Sequence, residues 1–229
     1  MTISHFFNIS LIHIFAENTE MGISERKQKE KELRRKMILK AAEKVFFSRK
    51  GETATMDDVA EKAELSKGTL YLYFRNKEDI LYALAEKGVS LLSVQLRNSF
   101  SDNHSGIDQL SLIADEFIEF SKKQSNFFHL ILRFENKTIK FKHEIRDNLL
   151  IEPALEVLYE VLKKGQKDNT IREDIEVRDL VAIIWSQMLG VLQTLTTKKK
   201  ILFQYKSDPN KLIKGHYKII IRGISPDNK

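Results

Sequence analysis

One short stretch of the chain, residues 67–77, holds side chains whose types and spacing suit contact with a nucleic acid. On a helix from Lys67 to Phe74, Leu70 and Phe74 lie four apart and share one inward face. The opposite face then carries Gly68, Thr69, Leu72 and Arg75, with Lys67, Tyr71 and Tyr73 on its flanks. Lysine and arginine meet phosphates or guanine edges, threonine and tyrosine hydroxyls bond phosphates or bases, and a leucine can touch a thymine methyl. Gly68 lets the backbone come close to a partner. Lys77 follows at the start of another helix, where the dipole and the ammonium both favour a phosphate. A catalytic core has no need of such a set.

The elements that position these residues are legible upstream. Residues 55–74, TMDDVAEKAELSKGTLYLYF, form the pattern of a helix-turn-helix. Thr55 is an N-cap. Asp57 and Asp58 place negative charge in the first turn, and Asp58 completes a capping box with Thr55. Val59, Ala60 and Ala63 put small apolar groups on one face. Glu64, Leu65 and Ser66 make the turn, with Leu65 plugging the space between the helices and Ser66 capping the second. Asn76 is placed to cap the helix that follows.

SKGTLYLYFRNKEDIL, residues 66–81, is similar to the signature of the TetR family of bacterial transcriptional regulators. AAEKVFFSRKGETATMDDVAEKA, residues 41–63, extends the resemblance, so that it covers a DNA-binding domain at about 32–92. Beyond residue 100 the likeness is only in length and helical pattern. The resemblance implies that Thr55, Tyr73 and Lys77 bind phosphates, and that Lys67, Gly68, Thr69, Tyr71 and Leu72 meet base edges or the backbone beside them. It also implies a dimeric, ligand-responsive, cytoplasmic repressor on a palindromic DNA operator, with a lipophilic effector. The helix after the motif would carry the ligand signal to the DNA-binding heads. One departure bears on affinity: Asp57, Asp58, Glu61 and Glu64 make the first helix of the motif acidic. Phosphate attraction is then left to Lys67, Arg75, Lys77 and the basic first helix of the chain.

Composition agrees with that division of labour. The chain of 229 residues has a net charge of +6 and a pI near 9.3. Residues 25–50 hold eleven Lys and Arg against four Glu, a local charge of +7, so the remainder nearly cancels. A basic run beside a helix-turn-helix fits phosphate attraction, and it also makes a solvated helix face. The absence of cysteine excludes disulfides, thiolate metal sites and cysteine nucleophiles. No histidine pair lies four apart, and no Gly-rich phosphate loop or Ser-His-Asp arrangement is present. The reading is therefore not an enzyme, with no cofactor and no metal.

The rest of the chain reads as all-α, about nine helices, with an N-terminal three-helix DNA-binding domain and a C-terminal helical effector-binding and dimerisation domain at 107–224. Residues 1–20 are apolar but broken by His5, Asn8, Ser10 and His13, too short and polar to span a membrane. They read, with the rest of 1–23, as a disordered arm or an over-long gene start ahead of Met21. A first helix covers 24–50, charged through its first half, with Ile38, Leu39, Ala41, Ala42, Val45 and Phe46 inward and Gly51 as C-cap. A helix to about 98 turns Ile80, Leu81, Leu84, Val89, Leu92 and Leu96 inward. Residues 100–106 are turn-forming and mark the domain junction. Helices follow at 107–123, 125–135, 138–168 (kinked or broken at Pro153), 175–198 and 208–223. Residues 180–195 are apolar on nearly every side, so one face packs at home and another on a partner. With Gly190 and Gly215 allowing close approach, the last two helices are expected to form a homodimer interface. Phe117, Phe120, Phe127, Phe128 and Phe134, faced by Trp185 and Met188, are candidate lining of an effector pocket. Phe141 falls in the same region, and His129, Gln124 and Gln187 are candidate polar anchors. The rival reading is a small-molecule-binding helical scaffold with a weak or vestigial DNA-binding head.

Overall fold

The computed structural model describes residues 22–48, 53–134, 150–196, 202, 204–206 and 208–226. Among them are nine α-helices: α1 Ile23–Phe46, α2 Met56–Lys62, α3 Lys67–Tyr73, α4 Lys77–Asn98, α5 Gly106–Lys123, α6 Ser125–Phe134, α7 Glu152–Lys167, α8 Val177–Thr196 and α9 Pro209–Ile224. No strand occurs among the described residues, and none of these helices is long and apolar enough to cross a membrane. The chain divides into two compact units, the first ending at Ile80 and the second beginning at Leu81.

The first unit is built on the switch of pattern in α1. From Glu25 to Met37 every residue is exposed, as a stretch charged on every side requires, and Leu33 and Met37 are exposed with it. From Ile38 onward the apolar residues go in: Ile38, Leu39, Ala41, Ala42 and Phe46 are buried. α1 packs on α2 and α2 on α3, with Val59 and Ala60 of α2, Leu70 of α3, and Phe74 and Ile80 all buried. The expected cap at Gly51 and residues 1–21 lie outside the described residues.

In the second unit α5 packs on α6 and α7, α7 on α8, and α8 on α9. Two glycines set the crossing of α5 and α7: a Cβ on Gly106 would lie 2.1 Å from the Cα of Gly165, so only glycine lets these backbones touch. Asp168 then closes the junction. Its carboxylate accepts from the Gly106 N–H at 2.7 Å and from the Thr170 hydroxyl at 2.6 Å. The Thr170 oxygen accepts in turn from the Ile107 N–H at 3.2 Å. Free N–H groups at the start of α5 are thus satisfied from a loop more than sixty residues away in sequence. Between α4 and α5 the turn is held by the fully buried Gln109, whose amide donates to Ser99 O and accepts from Ser101 N, each at 2.9 Å. Of the expected helix at 138–168, kinked or broken at Pro153, the described part is α7, which starts at Glu152 with Pro153 in its first turn. A first-turn N–H has no intrahelical partner, and its loss there costs nothing. Residues 135–149 lie outside the described residues.

Candidate nucleic-acid interface

Local hydrogen bonds build the helix-turn-helix from its own sequence. Thr55 and Asp58 make a complete capping box at α2: Asp58 N donates to Thr55 Oγ1 at 3.3 Å, and Thr55 N donates to Asp58 Oδ2 at 2.6 Å. α2 ends in a reciprocal pair, Glu64 N to Glu61 O at 3.0 Å and Leu65 N to Ala60 O at 2.9 Å. That closure forces Glu64 into the left-handed region, φ 57°, a position that glycine normally takes. Ser66 caps α3, accepting from Thr69 N at 3.2 Å.

α3 then has two sharply different faces. Leu70 is fully buried, and Phe74 follows it inward at the C-cap. On the other side Lys67 and Gly68 are exposed, Tyr71 is 49% exposed and Leu72 is 81% exposed. A leucine so placed on a helix of seven residues adds nothing to the fold of its own unit. Thr69 and Tyr73 are half-buried, and Thr69 Oγ1 is hydrogen-bonded to Ser66 Oγ at 2.9 Å. Tyr73 borders an open groove along α1 whose other walls include Lys27, Lys31 and Arg34.

Several cations of this region are already engaged. Lys67 Nζ lies 2.5 Å from Asp57 Oδ2, and this hydrogen bond, then the charge itself, raises the ammonium pKa. Lys77 Nζ donates to Ala54 O at 2.7 Å and sits 5.2 Å over the Phe46 ring. Arg35 lies 5.1 Å over the Phe74 ring. Thr55 is exposed, but its hydroxyl donates to Asp58 at 2.6 Å. The acidic first helix of the motif therefore engages one lysine of α3 directly. Arg75 is exposed, and Asn76 Oδ1 caps α4 by accepting from Asp79 N at 2.9 Å.

Among the described residues of the second unit lie two small apolar cavities, each of about 30 Å³. The outer one lies among α4, α5, α7 and α8, and its walls include Leu96, Phe117, Trp185 and Met188. The inner one lies among α5, α8 and α9, with Ile118, Met188, His216 and Tyr217 in its walls. Of the candidate pocket residues, Phe117, Trp185 and Met188 line a cavity, and the Phe117 and Trp185 rings are 5.2 Å apart. Phe120, Phe127, Phe128 and Phe134 are buried but line neither. Phe128 packs edge-on against Phe117 at 5.9 Å, and Phe134 against Tyr82 at 5.6 Å. His129 is exposed, since it lies one position beyond the inward Phe128 on α6; Gln124 and Gln187 are exposed too. Phe141 lies outside the described residues.

Two wall residues escaped the sequence reading. His216 Nε2 is buried without a hydrogen-bonding partner, and burial pushes the imidazole pKa down. The Tyr217 hydroxyl is hydrogen-bonded to Ser111 Oγ. The available signal was a histidine three residues after Ile213 and four before Ile220, on the apolar stripe of α9. On these last two helices Ile183 is 44% and Ile219 71% exposed, and Cβ atoms on Gly190, Gly215 and Gly223 would meet open space. Among the described residues no cluster of His, Asp and Glu could hold a metal ion.

Residues 38–84 match the family model of bacterial regulatory proteins, tetR family. A fatty acid metabolism regulator protein of Bacillus subtilis is 23% identical over 150 residues, 66% of this chain and 77% of that one. The HTH-type transcriptional activator FasR of Mycolicibacterium smegmatis is 31% identical over 103 residues, 45% of this chain and 46% of that one. The crystal structure of the transcriptional regulator FadR from Bacillus subtilis in complex with stearoyl-CoA superposes with a TM-score of 0.60 at 21% identity, covering 82% of this chain and 98% of that one.

Proposed function

We propose that this chain, a TetR-family regulator by its residues 38–84, is a ligand-responsive, dimeric DNA-binding protein that reads a palindromic operator through α3. The observation that carries the reading is the outward face of α3, where Tyr71 and Leu72 stand exposed beside Lys67 and Gly68. In the major groove, Lys67, Gly68, Thr69, Tyr71 and Leu72 meet base edges or the backbone beside them. Thr55, Tyr73 and Lys77 hold phosphates, and the groove between Tyr73 and the lysines and arginine of α1 adds positive charge for the backbone. One seven-residue helix reads few bases, so two heads are needed, and symmetric dimers read palindromes. The second copy docks on the exposed side of α8 and α9, where Ile183 and Ile219 face outward and three glycines leave room for close helix approach.

The ligand of this reading is a long-chain acyl thioester. The support is an apolar set of cavity walls together with the acyl-CoA bound by the B. subtilis relative. Cavities of about 30 Å³ each are far below the ~300–1,000 Å³ of ordinary ligand pockets, so binding opens the unit. Leu96 of α4 lines the outer cavity. A ligand that displaces Leu96 therefore acts on the same continuous helix whose first residues lie beside α3 in sequence. The operator's place relative to a promoter sets repression or activation; repression follows where it overlaps the polymerase site.

Selection of bound duplexes from a random library, with Tyr71→Ala as the control, tests this. The parent should enrich a palindrome. Tyr71→Ala should bind that palindrome about 1–3 kcal/mol more weakly and with relaxed base preference. Equal binding by parent and variant would refute this orientation of α3.

A further inference from the structure

We propose that the inner cavity, between α5, α8 and α9, is the distal compartment of the ligand channel, entered past Met188, and that His216 there holds a terminal hydroxyl on a long acyl chain. The proposal rests on the acyl reading above and specifies what the far end of the chain carries.

The two cavities share four wall residues: Leu110 and Ala114 of α5, and Ile184 and Met188 of α8. Ile184 is buried, Leu110 and Ala114 are buried on α5, and Met188 alone of the four is half-buried. Its unbranched thioether turns about three bonds and fills irregular gaps at little strain. Swinging Met188 aside joins the cavities, and a chain that stops at Met188 becomes one that reaches α9.

The compartments differ in what lies at their ends. The outer walls carry apolar side chains and the Trp185 ring. In the inner one the Tyr217 hydroxyl is already paired with Ser111 Oγ, which also lies 3.0 Å from Ile107 O. His216 Nε2 remains buried without a partner. Buried polar atoms are almost always hydrogen-bonded, and an unpaired one opposes the folded state until something satisfies it. A methyl-ended chain leaves this nitrogen unpaired. A carboxylate end finds no lysine or arginine in the wall, and partial burial holds the imidazole toward its neutral form. A hydroxyl both donates and accepts, so it satisfies either tautomer of a neutral histidine.

The emission of Trp185, the one tryptophan of the chain and a wall of the outer cavity, reports entry of a ligand. The full-length protein is titrated with hexadecanoyl-CoA and with ω-hydroxyhexadecanoyl-CoA. The hydroxylated ligand should bind about threefold to tenfold tighter, the range of one neutral hydrogen bond. His216→Leu should abolish that preference, leaving the two hexadecanoyl ligands equal. His216→Gln, which keeps a hydrogen-bonding end, should retain it. Met188→Phe, which adds no second indole, should weaken both hexadecanoyl ligands more than octanoyl-CoA. Equal affinities in the parent, or a preference that survives in His216→Leu, would overturn the assignment while the acyl reading stands. No response of Trp185 to any of the three acyl-CoAs would overturn both.

Discussion

At Lys77 one ammonium group meets two demands. It ties the buried Ala54 carbonyl to the start of α4 at 2.7 Å, and it is proposed to meet a phosphate. Lys77→Ala should therefore do two things that separate experimentally. It should weaken binding to all duplexes alike and lower the salt slope by about one, seen in titrations at several salt concentrations. It should also lower the stability of the head by about 1–3 kcal/mol in thermal melts, because a buried carbonyl loses its donor. A fall in affinity with an unchanged salt slope would mark Lys77 as structural alone. Glu64 presents the opposite case, a residue held where its type fits poorly. With φ at 57°, Glu64→Gly should raise stability by about 1 kcal/mol, read as a higher melting temperature. Residues 64–66 were legible as a turn from composition. That Glu64 itself takes the left-handed position follows from the closing pair of hydrogen bonds to Glu61 and Ala60, and these need the structure.

At the scale of elements, caps separate what neighbours in sequence decide from what distant residues decide. The Thr55–Asp58 box, the Ser66 cap and the Asn76 cap all act over three residues, and all could be read from spacing. The start of α5 could be read only in part. Ser105 caps it locally, accepting from Asp108 N at 3.2 Å, but Asp168 and Thr170 cap it from across the fold. Burial alone would raise the Asp168 pKa. Hydrogen bonds from the Thr170 side chain and the Gly106 and Thr170 N–H groups, with Lys164 nearby, outweigh that and hold it below its ordinary value. A depressed carboxylate contributes stability that is full above its unfolded pKa, near pH 4, and is lost as pH falls through the lower folded value. Asp168→Asn should accordingly flatten the loss of stability below about pH 4, measured by denaturant melts across that range. An acid limb identical to the parent's would show that this junction does not set it. Pro153 belongs to the same lesson: a proline inside an apolar-periodic stretch reads as a break, and its benign place in the first turn depends on where α7 begins.

At the scale of the whole molecule, the exposed isoleucines of α8 and α9 carry the expected assembly. Ile219→Lys combined with Ile183→Glu should convert a dimer to a monomer in analytical ultracentrifugation. Affinity for the palindrome should drop towards that of a half-site, with each unit still folded by circular dichroism. A variant pair that sediments as the parent would move the interface elsewhere.

The all-helical class, the helix-turn-helix with its caps and the inward faces of α1 and α4 followed from sequence because each depends on residues within one or two turns of one another. So did the head's resemblance to tetR-family regulators, carried by a run of matched residues at fixed spacing. The aromatic cluster was legible only as apolar mass. Phe117 became cavity wall while Phe120, Phe127, Phe128 and Phe134 became core, and this turned on which helix crosses which. The engagement of Lys67 by Asp57, the closure of α5 by Asp168, and the unpaired, buried Nε2 of His216 in a cavity wall with Met188 belong to tertiary structure alone. Each joins groups from different helices, and no spacing along the chain records the distance between helices that meet only when the core closes.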